Sequence, residues 1–444
     1  MRSTFTRRLV LPIAIAGIAG LALAGCTGDI AAEDAADVDC APYEAYGTEF
    51  DENEVTMAGT IVDAEADRLI ASWADFSTCT GIEINYQGSR DFETNIAQLA
   101  EGGNAPDIGI VPQPGLVALL AQNGYLRPAA QSVSDNVDQF WSPDWKQYAT
   151  IDGTFYGAPM LASVKGFIWY SPSEFEEKGY EIPTTLDELM TLTETIAAEG
   201  DHLPWCAGVE SGGATGWPAT DWIEDMVLRL HGPDVYDQWV NHEIPFNDPR
   251  IVEAIDAAGE YLKNPEFIDT QSIVSTPFQE GGLPILDGTC SLHHQASFYE
   301  VNWGEGVNVA PDGDVYAFLM PPAEAGGDLQ VTGGGETVVA FHEGDAIDAV
   351  MTHMSSDVFA NLRVSEGGTV SANNGVDPEN ASSPLLQQTI EILQDPNTTF
   401  RYDGSDLMPG AVGSNSFWKG MIAWLTGEDS QKVADDIEAS WPAA

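Results

Sequence analysis

Two tryptophans and a carboxylate stand close together near the middle of the chain. Trp217 and Trp222 flank Asp221, and the segment 204–221 is rich in glycine and proline, which makes it poor material for the core of a helix. Flat aromatic rings stack on the apolar faces of a pyranose, while carboxylates and amides bind its hydroxyl rim. We therefore predict that Trp217 faces a ligand; packing inside the fold is the alternative.

Four other side chains are candidates for ligand contacts, and each has a simpler alternative. Trp418 begins an apolar segment, so burial in a core competes with binding. Lys165 is one of only six lysines, and balancing an acidic surface is its alternative role. Asp91 and Glu336 belong to a chain with 70 acidic residues, many of which are exposed acids without a function.

The cysteines indicate disulfides. Of the five cysteines, Cys26 follows directly after the N-terminal export signal described below and is left out of this count. The other four are Cys40, Cys79, Cys206 and Cys290. An even number in an exported chain favours disulfide bonds. Three connectivities are possible and spacing does not decide among them. We expect the pairing that is local in the sequence, with Cys40 bound to Cys79 and Cys206 bound to Cys290.

The sequence shows no metal-binding or hydrolase pattern. It has no Cys-x-x-Cys or His-x-x-x-His pair, and the neighbours His293 and His294 would point to opposite faces of a strand. It also lacks the Gly-x-Ser-x-Gly and His-Glu-x-x-His motifs. We therefore predict no metal, no cofactor and no catalytic residue.

Residues 1–25 have the organisation of a bacterial signal peptide. Three arginines fall within the first eight residues, and an uncharged apolar run follows over residues 9–24. Leu23-Ala24-Gly25-Cys26 resembles the bacterial lipobox, in which the cysteine is acylated. We therefore predict a lipid anchor on Cys26, an acidic tether over residues 26–50, and a folded part on the outer face of the cytoplasmic membrane, extracellular or periplasmic.

Charge and composition narrow the classes of function. The chain carries 70 acidic and 16 basic residues, a formal net charge of −54. Such a surface repels phosphate backbones and anionic headgroups, so we predict no nucleic-acid partner. Its 444 residues are 43% apolar, which is enough for a sizeable core in two or three domains of roughly 150 residues each.

Strands and helices alternate in the first part of the chain. The predicted strands are 55–60, 82–86 and 107–111. The predicted helices are one that Asp63 caps and Gly81 ends, with its last apolar position at Phe76, then 92–99 and 116–123. This order is typical of an α/β domain with a mainly parallel sheet. Ligands bind beyond the carboxyl ends of such strands, so the loops 61–65, 87–91 and 112–115 are the segments expected to line a site.

A second α/β pattern begins near Phe167. Its predicted helices are 185–198, 222–230, 251–263, 417–425 and 430–440, with short strands and turns over 276–335. No repeat of 20–50 residues is visible, which argues against solenoids and propellers.

Five motifs, in this order, resemble the bacterial extracellular solute-binding proteins of the maltose-binding type, and among them the α-glucoside-binding lipoproteins of ABC importers. The motifs are Gly102-Gly103-Asn104-Ala105-Pro106-Asp107-Ile108, Tyr156-Gly157-Ala158-Pro159 with Trp169-Tyr170, the segment from Thr215 to Trp222, Gly333-Gly334-Gly335, and Ser416-Phe417-Trp418. The resemblance covers most of residues 50–440. It implies a two-lobe α/β fold of the type II periplasmic-binding-protein kind, with mainly parallel-cored sheets and a ligand cleft at the hinge. The implied first lobe is 50–163 and 332–375, and the second lobe is 164–331 and 376–444.

The resemblance also implies roles for single residues. Trp217 and Trp418 match positions whose indoles stack on glucose rings, and Phe298 matches another such aromatic. Gln113 lies in the first-lobe sugar loop, where this chain has Pro-Gln-Pro in place of an aromatic residue and a carboxylate. The complete predicted ligand-binding set is Glu65, Asp91, Gln113, Lys165, Trp217, Asp221, Phe298, Glu336 and Trp418.

The implied function is that of a monomeric substrate-binding lipoprotein that captures an α-glucoside or related oligosaccharide and delivers it to the permease subunits of an ABC importer. Two alternatives stay open. The first is a receptor of the same fold that binds another solute, such as a compatible solute or a peptide. In that case Trp217, Trp222 and Asp221 would form an aromatic cage for a quaternary ammonium. An exported glycoside hydrolase is the second, since two carboxyl groups at a defined separation are all that its chemistry requires.

Overall fold

The computed structural model of the protein describes residues 38–442 apart from residue 328. The predicted signal peptide, the acylation site at Cys26 and the first part of the predicted tether lie outside the described residues. Within them, no helix combines the length and the apolar character that crossing a bilayer requires.

The described chain alternates between short strands and helices. The strands are β1 (Glu54–Gly59), β2 (Glu83–Gly88), β3 (Ile108–Val111), β4 (Thr150–Ile151), β5 (Thr154–Phe155), β6 (Gly157–Val164), β7 (Phe167–Tyr170), β8 (Leu203–Trp205), β9 (Cys290–Gln295), β10 (Tyr316–Leu319), β11 (Gln330–Ala340) and β12 (Thr399–Tyr402). The α-helices are α1 (Asp63–Ala71), α2 (Ala74–Thr80), α3 (Phe92–Glu101), α4 (Pro114–Gln122), α5 (Gln131–Phe140), α6 (Pro143–Tyr148), α7 (Pro172–Lys178), α8 (Leu186–Glu199), α9 (Trp217–Val240), α10 (Pro249–Leu262), α11 (Asp345–Met354), α12 (Asp357–Ser365), α13 (Pro384–Gln394), α14 (Gly404–Leu407), α15 (Trp418–Leu425) and α16 (Ser430–Glu438). Short 3-10 helices lie at Ala41–Tyr46, Gly212–Ala214, Phe278–Glu280, Leu283–Ile285, Ser297–Trp303 and Pro378–Asn380, and a π-helical turn lies at Val412–Phe417.

The strands form two main sheets, as expected for a type II periplasmic-binding-protein fold. The first sheet has the order β12-β11-β3-β1-β2, with β6 paired to β11. Its strands β2, β1 and β3 are parallel, whereas β11 runs antiparallel to β3 and β6. The predicted parallel sheet is therefore confirmed for the strands nearest the N-terminus, and the strand that returns from the second sheet makes the arrangement mixed.

The second sheet has the order β10-β7-β9-β8. Only β8 and β9 are parallel in it; β7 runs antiparallel to both β9 and β10. The chain passes from the first sheet to the second between β6 and β7, and returns between β10 and β11. Strand β12 falls in the range 376–444 that the sequence assigns to the second lobe, yet it pairs in parallel with β11 of the first sheet.

The single helix predicted from residue 63 is two helices. Ser72 Oγ donates a hydrogen bond to the Leu69 carbonyl oxygen at 2.6 Å, and hydroxyl bonding of this kind competes with the helical hydrogen-bond ladder. The prediction that Asp63 caps the helix is also wrong, because Val62 holds the cap position. Asp63 itself has φ +55°, and its carboxylate pairs with Arg90 at 2.9 Å.

The start of α9 differs from the prediction as well. The segment 204–221 was expected to be a loop throughout, but α9 already begins at Trp217. Pro218 is the second helical residue, a position where its missing N–H costs nothing. Near its other end α9 is interrupted at Gly232, where φ is +78°, just before Pro233.

The predicted tether over residues 26–50 is too long. Ala41–Tyr46 forms a 3-10 helix, and Tyr43 is buried in the core of the first lobe. Cys40 is bound to Cys79, with the two Cα atoms 5.4 Å apart. Any tether therefore ends before residue 40, because this segment is both packed and covalently tied.

Both predicted disulfides are confirmed. Cys40–Cys79 ties the N-terminal 3-10 helix to α2, and Cys206–Cys290 links the end of β8 to the start of β9. Each bond joins two elements that also contact each other: the 3-10 helix packs on α2, and β8 pairs with β9.

The adjacent histidines of β9 face opposite sides, as predicted. His293 Nδ1 lies 2.9 Å from the Cys206 carbonyl oxygen, and His294 Nε2 lies 2.7 Å from Asp225 Oδ2. In the part of the chain that the structure describes, no group of three or more histidine, cysteine or acidic side chains is arranged to hold a metal ion.

Candidate functional site

A cavity of about 280 Å³ lies where loops of the two sheets meet. The loops that follow β1, β2 and β3 contribute Thr60–Glu65, Arg90 and Gln113, which agrees with the rule that sites form beyond the carboxyl ends of parallel strands. All three loops that the sequence singled out therefore reach the cavity. The opposite side comes from α9, from the segments around Phe278 and Phe298, and from the start of α15.

Aromatic rings form one wall of the cavity. The Trp217 ring centre lies 5.0 Å from that of Phe278 and 6.1 Å from that of Phe298. All three side chains are half-buried and line the cavity. Trp418 lines it too, although only 4% of this residue is exposed. Such rings offer flat apolar faces to a ligand.

A glycine brings two of these tryptophans together. Gly216 precedes α9 with φ +116°, and a Cβ atom there would lie 2.4 Å from the Trp418 carbonyl oxygen. Only a residue without a side chain permits this backbone approach. Because Trp217 and Trp418 each begin a helix, the close contact of the two helix starts places both indoles at one cavity.

Two buried polar atoms on the cavity wall have no hydrogen-bond partner among the described residues. Gln113 is 2% exposed, and its Oε1 is unpaired; Trp418 Nε1 is unpaired as well. Burying an unpaired polar atom costs about 1–3 kcal/mol. Both residues line the cavity, and the two atoms themselves are buried within its wall.

Lys165 anchors the floor of the cavity. It follows β6 at the crossing between the sheets, and its Nζ donates to Asp221 Oδ1 at 2.8 Å and to Asp403. The same Nζ lies 5.2 Å from the centre of the Trp217 ring, within the range of a cation–π contact. Lys165 therefore ties α9 and the segment after β12 to the crossing strand, directly beneath the aromatic wall.

The two carboxyl groups beside Lys165, those of Asp221 and Asp403, differ in how readily they ionise. Burial alone would lower the pKa of Lys165, but Asp221 and Asp403 outweigh it and hold that pKa above its ordinary value. Burial acts against ionisation of Asp403, yet the adjacent ammonium keeps its pKa below the ordinary range. Burial raises the pKa of Asp221 to about 8, although Lys165 opposes the shift. Lys165 and Asp403 thus form the ion pair, and Asp221 is the carboxyl group that is protonated first.

Four more carboxyl groups, which we call the cavity carboxyls, face the cavity from four different elements. They are Glu65 on α1, Glu93 on α3, Glu336 on β11 and Asp406 on α14. Burial raises the pKa of Glu93 to about 7 and that of Glu336 to about 8. The pKa values of Glu65 and Asp406 are raised as well, mainly by burial. The cavity therefore holds acids whose charge is costly near neutral pH.

Most of the predicted ligand-binding residues meet at this cavity. Those that line it are Glu65, Gln113, Lys165, Trp217, Phe298, Glu336 and Trp418. Asp91 is exposed and lies outside the lining residues. Asp221 is 2% exposed and is not among the lining residues; its carboxyl group accepts a hydrogen bond from Lys165. Trp222 lies in the core of the second lobe, so the aromatic cage of Trp217, Trp222 and Asp221 is not formed.

Several lining residues were missed by the sequence analysis. Arg90 lies one residue before the predicted residue Asp91 and Glu93 two residues after it; both line the cavity, whereas Asp91 does not. Phe278 and Asp406 stand in segments without a recognisable motif. Nothing in the sequence marks these two residues as part of a site, because they reach the cavity only through contacts between distant parts of the chain.

Comparison with known proteins places these features in a family. A sequence model described as "Bacterial extracellular solute-binding protein" matches residues 60–274. The osmoprotective compounds-binding protein of Synechocystis sp. is 35% identical over 397 residues, which cover 88% of this chain and 93% of the relative. The alpha-glucosides-binding periplasmic protein of Rhizobium meliloti is 38% identical over 383 residues, covering 83% of this chain and 82% of the relative.

Solved structures share the fold. A bacterial solute receptor described as having an exclusive substrate preference for β-D-galactopyranose superposes with a TM-score of 0.76 at 17% sequence identity, covering 87% of this chain and 98% of the receptor. At this identity the likeness concerns the fold alone.

Proposed function

Because the chain belongs to the bacterial extracellular solute-binding proteins, we propose that it is the substrate receptor of an ABC importer whose cargo is an α-glucoside or a related oligosaccharide. The ligand occupies the cavity described above, and the loaded receptor delivers it to the membrane permease. The contacts proposed for the ligand are those of the predicted residues that line the cavity, with Trp217 as the principal stacking surface.

The observation that carries this proposal is the pairing of an aromatic wall with two unpaired polar atoms. Gln113 Oε1 needs a hydrogen-bond donor, and Trp418 Nε1 needs an acceptor. A sugar hydroxyl supplies both, and the C–H face of the same ring covers an indole. A quaternary ammonium group supplies neither a donor nor an acceptor, so a betaine could pair with Trp418 Nε1 through its carboxylate but offers no donor for Gln113 Oε1; Lys165 also already lies 5.2 Å from the Trp217 ring. These features favour a hydroxylated ligand.

The names of the relatives point to two classes of ligand. One relative at 38% identity is an alpha-glucosides-binding protein, and one at 35% identity binds osmoprotective compounds. Compatible solutes therefore form the second candidate class for this receptor, and a ligand screen must include them.

The test is a binding screen by calorimetry with the mature chain, carrying Cys26→Ser so that it is not acylated. The probes are maltose, trehalose, sucrose and glycine betaine. We expect saturable binding at one site for at least one of the three glucosides and none for glycine betaine. Saturable binding of glycine betaine alone would move the receptor to the compatible-solute class, and the α-glucoside assignment would be wrong.

A pair of glutamine variants tests the observation itself. Gln113→Ala removes the unpaired acceptor, so we expect glucoside affinity to fall by roughly tenfold, the value of one hydrogen bond. Gln122→Ala, at the exposed end of the helix α4 that Gln113 precedes, is the matched control and should bind like the unmodified chain. Equal affinities for both variants would reject the role of Gln113.

The receptor is proposed to be a monomer without catalytic activity, anchored through Cys26. Incubation with maltose, trehalose and sucrose should release no glucose, and a rate that survives repurification would identify a hydrolase. In cells, labelled palmitate should be incorporated into the chain and lost in Cys26→Ser. Incorporation that persists in this variant would contradict the anchor.

A further inference from the structure

The cavity holds more carboxyl groups than cations. Its two cationic lining residues are already engaged, because Arg90 pairs with Asp63 at 2.9 Å and Lys165 is held by Asp221 and Asp403. Within the described residues, the four cavity carboxyls form no ion pair and receive no hydrogen bond from another side chain. A ligand that enters the cavity therefore meets carboxyl groups that have no partner in the protein.

Glu336 is the cavity carboxyl with acidic neighbours on several sides. The titratable and charged groups around it are Glu65 on α1, Glu93 on α3, Arg363 on α12, Tyr86 on β2 and Tyr402 on β12. Arg363 opposes the repulsion from a distance, since its Nη1 donates to the Gly367 carbonyl oxygen. The two phenols remain neutral, because burial raises the pKa of both.

These neighbours make the charged form of Glu336 unfavourable. Burial is the largest cause that raises its pKa to about 8, and the Glu65 carboxylate adds to the shift while Arg363 reduces it. A ligand that displaces water from the cavity strengthens both effects, because the medium around the carboxylate becomes less polar. A neutral ligand brings no charge to compensate.

The unpaired atoms of Gln113 and Trp418, two residues that line the same cavity, are matched by a ligand that carries a donor and an acceptor, as a hydroxyl group does. A protonated carboxyl group suits such a ligand. Like an amide, it presents one donor and one acceptor, so it can donate to a hydroxyl or ether oxygen, which a carboxylate cannot do. It also leaves no unpaired charge in the closed site.

We propose that Glu336 binds the ligand as a neutral carboxylic acid, so that capture of a glycoside takes up one proton per molecule when the free protein is ionised at this position. The inference rests on the proposed function, since it requires a neutral hydroxylated ligand. Glu336 is thereby a specificity-determining residue that recognises an acceptor oxygen of the sugar.

The direction of the pH dependence follows from linkage. Only the protonated form of Glu336 binds, so above the pKa of the free protein each binding event must first add a proton. Affinity is therefore nearly constant from pH 6 to pH 7 and falls roughly tenfold from pH 7 to pH 9. Proton uptake rises from about half a proton per ligand at pH 8 toward one at pH 9.

The first measurement needs no variant. The mature chain is titrated with maltose, trehalose and sucrose at pH 6, 7, 8 and 9, in pairs of buffers with different ionisation enthalpies. The difference in heat between the buffers counts the protons. Uptake and loss of affinity above pH 7 support the proposal, whereas glucoside binding that is equally tight at pH 6 and pH 9 without proton transfer overturns it.

Variants then assign the proton. Glu336→Gln keeps a donor and an acceptor but does not titrate, so whatever its affinity, that affinity should be the same at pH 7 and pH 9. Glu101→Gln, at the exposed end of α3, controls for the loss of one negative charge and should keep the pH dependence. If Glu65→Gln abolishes the pH dependence and Glu336→Gln does not, the assignment to Glu336 is wrong.

Two outcomes separate this inference from the proposed function. If no glucoside binds even at pH 6, the proposed function fails. If glucosamine binds more tightly than maltose and its binding releases protons, the cavity carboxyls act as carboxylates for a cation, and the proton-uptake inference fails while the receptor function stands.

Discussion

Trp217 and Trp222 lie five residues apart on α9 and face opposite environments. Five positions on an α-helix correspond to a net rotation of about 140°, which turns one indole to the cavity and the other to the core of the second lobe. Trp222 is 3% exposed, with its ring 4.5 Å from that of His294 and 5.2 Å from that of Trp205. Trp217 is half-buried and lines the cavity.

Acidic side chains show the same contrast. Asp225, also on α9, accepts hydrogen bonds from Arg229 at 3.0 Å and from Thr332 at 2.8 Å, and it contacts His294 at 2.7 Å. Burial opposes its ionisation, but these partners together lower its pKa. Glu336 faces the cavity without such partners, and burial raises its pKa to about 8.

The comparison teaches that residue type does not decide the role in this protein. Trp222 and Asp225 make their contacts with other residues of the core, so their loss should reduce stability. Trp217 and Glu336 line the cavity and lack such a full set of partners, so under the proposed function their loss should mainly reduce binding. Four substitutions test this division.

Trp222→Ala should have the largest effect. Removing a core tryptophan leaves a cavity, and we expect the free energy of unfolding to fall by about 3–5 kcal/mol. Glucoside affinity of the molecules that remain folded should change little. A denaturant melt and calorimetry on the same preparation measure both quantities, and a normal melt with weakened binding would reverse the assignment of this side chain.

Asp225→Ala should be nearly as severe. It leaves the guanidinium of Arg229 buried without its ion-pair partner, at a cost of about 3–5 kcal/mol. Because the pKa of Asp225 is lowered in the folded state, its contribution to stability is present above the ordinary pKa of aspartate and is lost as the pH falls through the lowered value. Melts of both proteins at neutral pH and in acid should therefore converge toward low pH; a constant difference between them would contradict this account.

Trp217→Ala should mainly reduce binding. Loss of the stacking surface should cost about 2–4 kcal/mol of binding free energy, as at an aromatic hot spot, or roughly 30- to 1,000-fold in affinity. Stability should change much less than in Trp222→Ala, because the side chain is partly solvated in the free protein. If the melt collapses while glucoside binding persists, Trp217 is a packing residue and the cavity is not the binding site.

Asp91→Ala should have the smallest effect and decides between two expectations. The family resemblance predicts hydroxyl binding by this residue, whereas the structure leaves it exposed and outside the cavity lining. Exposed substitutions usually change stability by less than about 0.5 kcal/mol, and we expect glucoside affinity to change by less than about twofold. A large loss of affinity in calorimetry would restore the predicted role of Asp91.

Local patterns predicted much of the fold. The helices α3, α8 and α10 follow the apolar period that the sequence shows, and Thr185 caps α8 by accepting from the Glu188 backbone N–H. The break between α1 and α2 and the early start of α9 were missed. Both depend on single local hydrogen-bonding or proline effects that a periodic pattern does not contain.

The site was predictable where it follows the strand ends and the family motifs. Gln113 and Trp217 were found in this way, and both line the cavity. Phe278 and Asp406 were not, because each stands in a segment with no motif of its own and reaches the cavity only after the two sheets are joined.

By itself, the sequence determined the α/β class, the family resemblance and the four cysteines that pair. The tertiary structure alone decided which polar groups find partners. Lys165 and Asp403 are 238 positions apart and form a buried ion pair, while Glu336 on an adjoining strand is left without one. Burial and the neighbours that folding brings together decide which of two similar carboxyl groups carries a charge. Neither property can be read from the residues next to them in the sequence.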